Sequence, residues 1–180
     1  NMFMSAIIAA NLSVYDMSKN NPELAGMGTT VVVAIVADER VYVAHAGDSR
    51  AYILSSGKLH QLTKDHSFVQ EMVDSGKLTP DEAREDPRKN LITRALGVTE
   101  DLKIDFCEEE ISENDVLLIC TDGLTDLLSL DEIEPKNILR VLFKEFRVSI
   151  LCGVCLAVVC FIKTIAIDFG FAFTQENLLI

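Results

Sequence analysis

Basic residues are scarce in this chain of 180: 16 Lys and Arg stand against 28 Asp and Glu, for a formal net charge of -12. Without a basic stripe there is nothing to displace counterions from a phosphate backbone, which excludes nucleic acid as a partner class. Paired cysteine spacings are missing from the body of the chain as well. Five cysteines with no signal peptide fit a reducing, cytoplasmic compartment better than a disulfide scaffold, and Cys107 and Cys120 read as core residues. Cys152-x-x-Cys155 has neither a second pair nor a histidine at ligand spacing, so no zinc or redox site is read from it. No apolar run reaches the roughly 18 to 20 residues of a membrane-spanning helix, the longest being Val148 to Ile162. That segment is expected to be either a helix packed on the body or a marginal membrane anchor, which would make the protein membrane-associated. A Met at position 1 is also lacking, and no cap precedes the first periodic run, so the numbering is expected to begin part-way through a domain.

What is present falls into two unequal parts. Residues 1–134 hold 11 basic and 25 acidic residues and residues 135–180 hold 5 and 3, a compositional break near Pro135. In the first part, Met4, Ile7, Ile8, Leu12 and Tyr15 recur at helical spacing, and Asn20-Asn21-Pro22 ends that helix. Val31 to Ala37, Arg40 to Ala46, Ala51 to Leu54 and Lys58 to Leu62 read as closely spaced strands. They are joined at Asp38-Glu39, at Gly47-Asp48-Ser49-Arg50 and at Ser55-Ser56-Gly57. Strands this close in sequence are expected to be antiparallel neighbours. Thr63 to Arg94 turns polar and helical, with Phe68, Met72 and Val73 as an apolar stripe and Thr79-Pro80-Asp81-Glu82 as a capping box. Leu102 to Phe106 and Asp115 to Thr121 read as two further strands, with Glu108-Glu109-Glu110 as an acidic turn between them, and Ser129-Leu-Asp-Glu132 as a second capping box.

The chemistry is expected where apolar strands end in carboxylates. Val116 to Ile119 reads as a strand buried on both faces that delivers Asp122 into a turn, and Asp126 follows one helical turn later. Gly47-Asp48 repeats the pattern. Carboxylates brought together repel unless a cation lies between them. An aspartate-only donor set suits a hard divalent ion, Mg2+ or Mn2+, rather than zinc. The histidines carry less: His45 reads as a structural strand residue and His60 as solvated. Ser49 has no His at a triad-like position and is not a nucleophile.

Five segments in order resemble the metal-dependent serine/threonine protein phosphatases of type 2C, and the short flap-like connection resembles the bacterial branch. They are Gly26-Met-Gly-Thr-Thr30, Val43-Ala-His-Ala-Gly-Asp-Ser-Arg-Ala-Tyr52, Leu62-Thr-Lys-Asp-His-Ser67, Ile92-Thr-Arg-Ala-Leu-Gly97 and Leu118-Ile-Cys-Thr-Asp-Gly-Leu-Thr-Asp126. The resemblance covers residues 1–134 as a partial domain. It implies an α+β fold, a sandwich of two antiparallel β-sheets flanked by helices, here incomplete, with a metal cluster at one end. The implied activity is hydrolysis of phosphoserine or phosphothreonine in a phosphorylated protein by a metal-activated water, with no side-chain nucleophile. By position Asp122 is the implied ligand of a catalytic Mn2+ or Mg2+, and Asp48 and Asp126 those of a more loosely held ion. Asp65, His66, Ser67 and Arg94 belong to the implied substrate flap, in which His66 positions rather than ligates. Thr29 and Thr30 are expected to support a strand. A monomer is expected.

The departures set a second expectation. The family's early Asp-Gly-Met-Gly-Gly motif, its upstream phosphate-gripping arginine and its late Gly-Gly-x-Asp-Asn motif have no counterparts, and Asp168-Phe-Gly170 does not replace the last of these. The chain is therefore expected to be inactive or nearly so. The alternatives are a catalytically dead binding or regulatory module and a truncated or frame-shifted gene product with residues 135–180 as its foreign tail.

Overall fold

A computed structural model describes residues 2–126, 159–160 and 164–166 of the chain. The first helix, α1 (Met2–Asn20), is followed by a short 3-10 turn at Pro22–Leu24. Strands β1 (Val31–Ala37), β2 (Arg40–Ala46), β3 (Arg50–Ser55) and β4 (Lys58–Gln61) come next, then helices α2 (Phe68–Asp74) and α3 (Pro80–Glu85). Strands β5 (Asp105–Glu110) and β6 (Val116–Cys120) lead into α4 (Asp122–Thr125), and two short strands, β7 (Val159–Cys160) and β8 (Thr164–Ala166), complete the described elements.

These strands form two sheets, one in the order β1-β2-β5 and one in the order β4-β3-β6-β8-β7. Every pair is antiparallel except β6 with β8, which is parallel. Alternation along the strands sets the layers. Val41 and Val43 of β2 meet Ala51 and Ile53 of β3 and Leu117 of β6 in the core between the sheets. The intervening Ala44 and Ala46 face outward and pack under Ile7 of α1 with Leu96 and Leu102. Tyr52, Leu118, Cys120 and Leu124 cluster on the outer face of the second sheet. Strand β6 thus buries both faces, Leu117 towards one cluster and Leu118 towards another, as its unbroken apolar run requires.

Local rules explain the connections. Asp38 and Glu39 have φ of 51° and 59°, both left-handed, as the twisted two-residue hairpin between β1 and β2 demands. Thr79 caps α3 through a complete capping box with Glu82.

Two sequence expectations need correction. β2 and β3 are consecutive and closely spaced, yet they are not neighbours: the chain crosses from one sheet to the other at Gly47–Ser49. Gly47 has φ of +113°, and a Cβ there would collide with the Thr30 side chain, so the crossing needs glycine. The acidic turn at Glu108 to Glu110 is instead strand β5, and Leu102 to Ile104 precede it. Among the described strands β5 is the edge of its sheet, where exposed charge is tolerated and deters pairing with other chains. Arg40 on β2 further offsets the acids by ion-pairing with Glu108 and Glu110. The expected membrane segment, the second capping box and the compositional tail lie outside the described residues, apart from the backbones of β7 and β8. Among the described residues no helix is long and apolar enough to cross a membrane.

Candidate active site

Strand register builds the site. β3 pairs antiparallel with β6, with Arg50 opposite Cys120. Continuing that register past both strands by two residues brings Asp48, on the sheet crossing, opposite Asp122, the first residue of α4. The single turn of α4 returns Asp126 to the same side, its N–H donating to the Asp122 carbonyl at 2.8 Å. The segment after β4 closes over these acids from the other direction. Arg50 reaches it with a two-pronged contact, its Nε donating to Asp65 Oδ1 at 2.9 Å and to Oδ2 at 3.0 Å. The same guanidinium donates to Thr125 Oγ1 at 2.9 Å, tying α4 to the assembly.

The result is a cavity of about 620 Å³ with Asp48, Asp65, Asp122 and Asp126 in its wall. Ser67, Val69 and Gln70 from the start of α2, and Ala83, Arg84, Lys89 and Asn90 around α3, form the opposite side. Lys89 ion-pairs with Asp126 at 2.8 Å across it. Residues of the segment from Ser67 to Asn90 therefore line the cavity together with the carboxylates.

Electrostatics show what the acids lack. Asp48 is 5% exposed, and its carboxyl is pushed up to about 7, first by burial and then by the charges of Asp122 and Asp65. Asp122 is also raised, by burial and then by Asp126. Arg50 opposes both shifts without cancelling them, because Asp65 already engages it. The four carboxylates thus face an excess of negative potential that a divalent cation would offset. The donor set fits such an ion in kind, being all oxygen. Among the described residues, however, no three His, Cys, Asp or Glu side chains converge closely enough to hold an ion unaided.

Five of the seven residues singled out from the sequence share this cavity: Asp48, Asp65, Ser67, Asp122 and Asp126. His66 and Arg94 do not line it. His66 is 5% exposed and lies behind the Gly47–Asp48 turn, where its Nδ1 accepts from the Gly47 N–H at 3.1 Å. Since Nδ1 accepts, the neutral ring carries its proton on Nε2, which lies 3.1 Å from an Asp105 oxygen and 3.1 Å from Arg94 Nη1. Burial keeps the ring's pKa below the usual histidine range. Arg94 donates to the other Asp105 oxygen at 2.7 Å. His45 stacks on His66 with centroids 4.6 Å apart, in the structural role expected of it. Thr30 supports the turn through its hydroxyl, 2.8 Å from that of Ser49. Arg50, Lys89 and Thr125 were missed by the sequence reading. Arg50 alone left a signal, an arginine between a carboxylate turn and an apolar strand.

Comparison with known proteins bears on the family and the fold. The protein phosphatase 2C family model matches residues 2–72. A serine/threonine phosphatase, stp, of Listeria monocytogenes serotype 4b (strain F2365) is 41% identical over 124 residues, 69% of this chain and 49% of that protein. The chain carries a partial protein phosphatase 2C domain. The serine/threonine protein phosphatase PstP of Mycobacterium tuberculosis (strain ATCC 25618 / H37Rv) is 40% identical over 129 residues, 72% of the chain and 25% of that protein. The crystal structure of the serine/threonine phosphatase Stp1 from Staphylococcus aureus superposes with a TM-score of 0.71 at 38% identity, covering 74% of this chain and 52% of that one. The catalytic domain of PstP in complex with two manganese ions gives a TM-score of 0.62 at 37% identity, covering 77% and 55%. The phosphatase 2C portion spans about half the length of the Listeria relative. Its fold is the α+β, two-sheet arrangement of these structures, incomplete and with one parallel strand pair in the larger sheet.

Proposed function

We propose that this chain contributes the Asp48, Asp122 and Asp126 side of a site that hydrolyses phosphoserine or phosphothreonine in proteins with Mn2+ or Mg2+. The observation that carries this reading is the buried Asp48 carboxyl, raised to about 7 against Asp122 at the floor of an open cleft. A divalent ion bound there would supply an acidified water and neutralise phosphoryl charge. Mg2+ and Mn2+ commonly take only one or two protein carboxylates and complete their shell with water, so a site of few converging acids is consistent with them. Asp122 and Asp48 would hold such an ion and Asp126 would adjoin it. Arg50 keeps Asp65 turned towards β3 and away from solvent. The flap residues Ser67 and Gln70, with Arg84 and Lys89, form the wall that a phosphorylated segment would meet. The similarity to named serine/threonine phosphatases and to the manganese-bound PstP domain supports the same assignment.

A second reading is favoured by the small number of converging ligands: a module that binds a divalent ion and a phosphoprotein without turnover. Phosphate release from a phosphothreonine peptide, with and without Mn2+, separates the two. Manganese-dependent release that Asp122→Asn abolishes supports the hydrolase. Manganese binding without release supports the module, and no manganese binding at all removes both.

A further inference from the structure

The turn that carries Asp48 has no ladder hydrogen bonds of its own and is held from outside, on one side by the Thr30 hydroxyl 2.8 Å from that of Ser49. It lies between two sheets, belongs to neither ladder, and has glycine at its first position with φ of +113°. What also fixes it is the segment that follows β4. Lys64 accepts at its carbonyl from His45 Nε2 at 2.8 Å. Asp65 holds Arg50. Between these, His66 makes two contacts with one residue: its backbone N–H donates to the Gly47 carbonyl at 3.0 Å, and its Nδ1 accepts from the Gly47 N–H at 3.1 Å. Both peptide groups flanking Gly47 are thereby anchored one residue before the carboxylate.

The remaining contacts of the ring set its orientation. Nε2 faces Asp105 on β5 at 3.1 Å, Arg94 Nη1 lies 3.1 Å from the same nitrogen and 2.7 Å from the other Asp105 oxygen, and the stacked His45 ring covers one face at an interplanar angle of 11°. A ring so oriented presents only the Nδ1 lone pair to Gly47.

We propose that His66 is a positioning residue for Asp48: its Nδ1 lone pair fixes the Gly47 peptide and so aims the carboxylate that follows it into the cleft. This rests on the proposed divalent-cation site, but the role belongs to the turn and can be read without that ion. The two ring nitrogens make different predictions, because an asparagine oxygen can stand where Nδ1 is, whereas a glutamine amide reaches where Nε2 is.

The test compares His66→Asn with His66→Gln in the full chain, using Mn2+ alone as probe and titrating it by calorimetry. His66→Gln is expected to weaken Mn2+ binding about tenfold or more, because the Gly47 N–H loses its buried acceptor. His66→Asn is expected to weaken it no more than about threefold. A parallel NMR measurement of amide exchange at Gly47 and Asp48 is expected to show faster exchange in His66→Gln than in His66→Asn. Equal loss in the two variants, or greater loss in His66→Asn, overturns the proposal. If the parent chain binds no Mn2+, the cation reading fails and the exchange rates alone decide: the same order sustains the positioning role, and equal rates overturn it.

Discussion

Arg50 and Asp65 form the junction between the carboxylate cleft and its flap, the Arg50 Nε lying 2.9 and 3.0 Å from the two oxygens of an Asp65 side chain that is only 10% exposed. Removing one partner of a buried pair strands the other charge, a loss of roughly 3–5 kcal/mol. Arg50→Met is expected to fall in that range by urea denaturation. Arg50→Lys is expected to lose less, because it keeps the charge but not the fork that also reaches Thr125. A change below about 1 kcal/mol in Arg50→Met would show that the junction contributes little.

The raised Asp48 carboxyl makes stability depend on pH with a definite sign. In the folded chain Asp48 holds its proton up to about 7, while its ordinary value is 3.8. Between those values the folded state binds more protons than the unfolded one, so the metal-free protein loses stability as pH rises. Asp48→Asn removes this contribution. In EDTA at pH 8 the variant is expected to be more stable than the parent by on the order of 2–4 kcal/mol, and the gap should close towards pH 4. The same substitution is expected to abolish Mn2+ stabilisation. Thermal unfolding across this pH range measures both, and a gap that does not change with pH contradicts the assignment.

Asn11 is a second buried polar anchor, far from the cleft. Its Oδ1 accepts from the Gly97 N–H at 2.7 Å and its Nδ2 donates to the carbonyls of Thr99 and Glu100, binding α1 to the loop before β5. Asn11→Leu leaves all three groups without partners in a site that is 0% exposed. A loss of about 2–4 kcal/mol is expected, with faster amide exchange at Gly97 as its local signature.

Lys89 pairs with Asp126 from a position 36% exposed, so Lys89→Ala is expected to change stability by less than about 0.5 kcal/mol. If Asp126 adjoins the cation, losing the ammonium beside it should tighten Mn2+ binding by roughly two- to threefold at low salt. Unaltered binding would place Asp126 outside the cation's reach.

Much of the fold was legible because local rules act within a few residues. The apolar periodicity of α1, the Asp38-Glu39 hairpin, the capping box at Thr79 and the doubly buried Val116 to Cys120 strand were each readable from neighbouring residues. The failures were failures of context. Glu108 to Glu110 resembles a turn until β2 supplies Arg40 opposite it. The sheet crossing at Gly47 resembles a hairpin turn, because sequence separation says nothing about which sheet the next strand joins. Arg50, Asn11 and Lys89 went unassigned for a related reason: each acts on a residue 15 to 89 positions away.

By itself the sequence determined the chemical kind of the site, since aspartates that follow apolar strands and turns are fixed by residue identity and short-range geometry. It also determined the family, through five ordered motifs. Tertiary structure alone decided which carboxylates share a cleft and which side chains stand behind them. The register of β3 against β6 brings Asp48 towards Asp122, and the burial that follows raises the Asp48 carboxyl to about 7. Repulsion and desolvation depend on through-space distance and solvent exclusion, and neither exists until the sheets have packed.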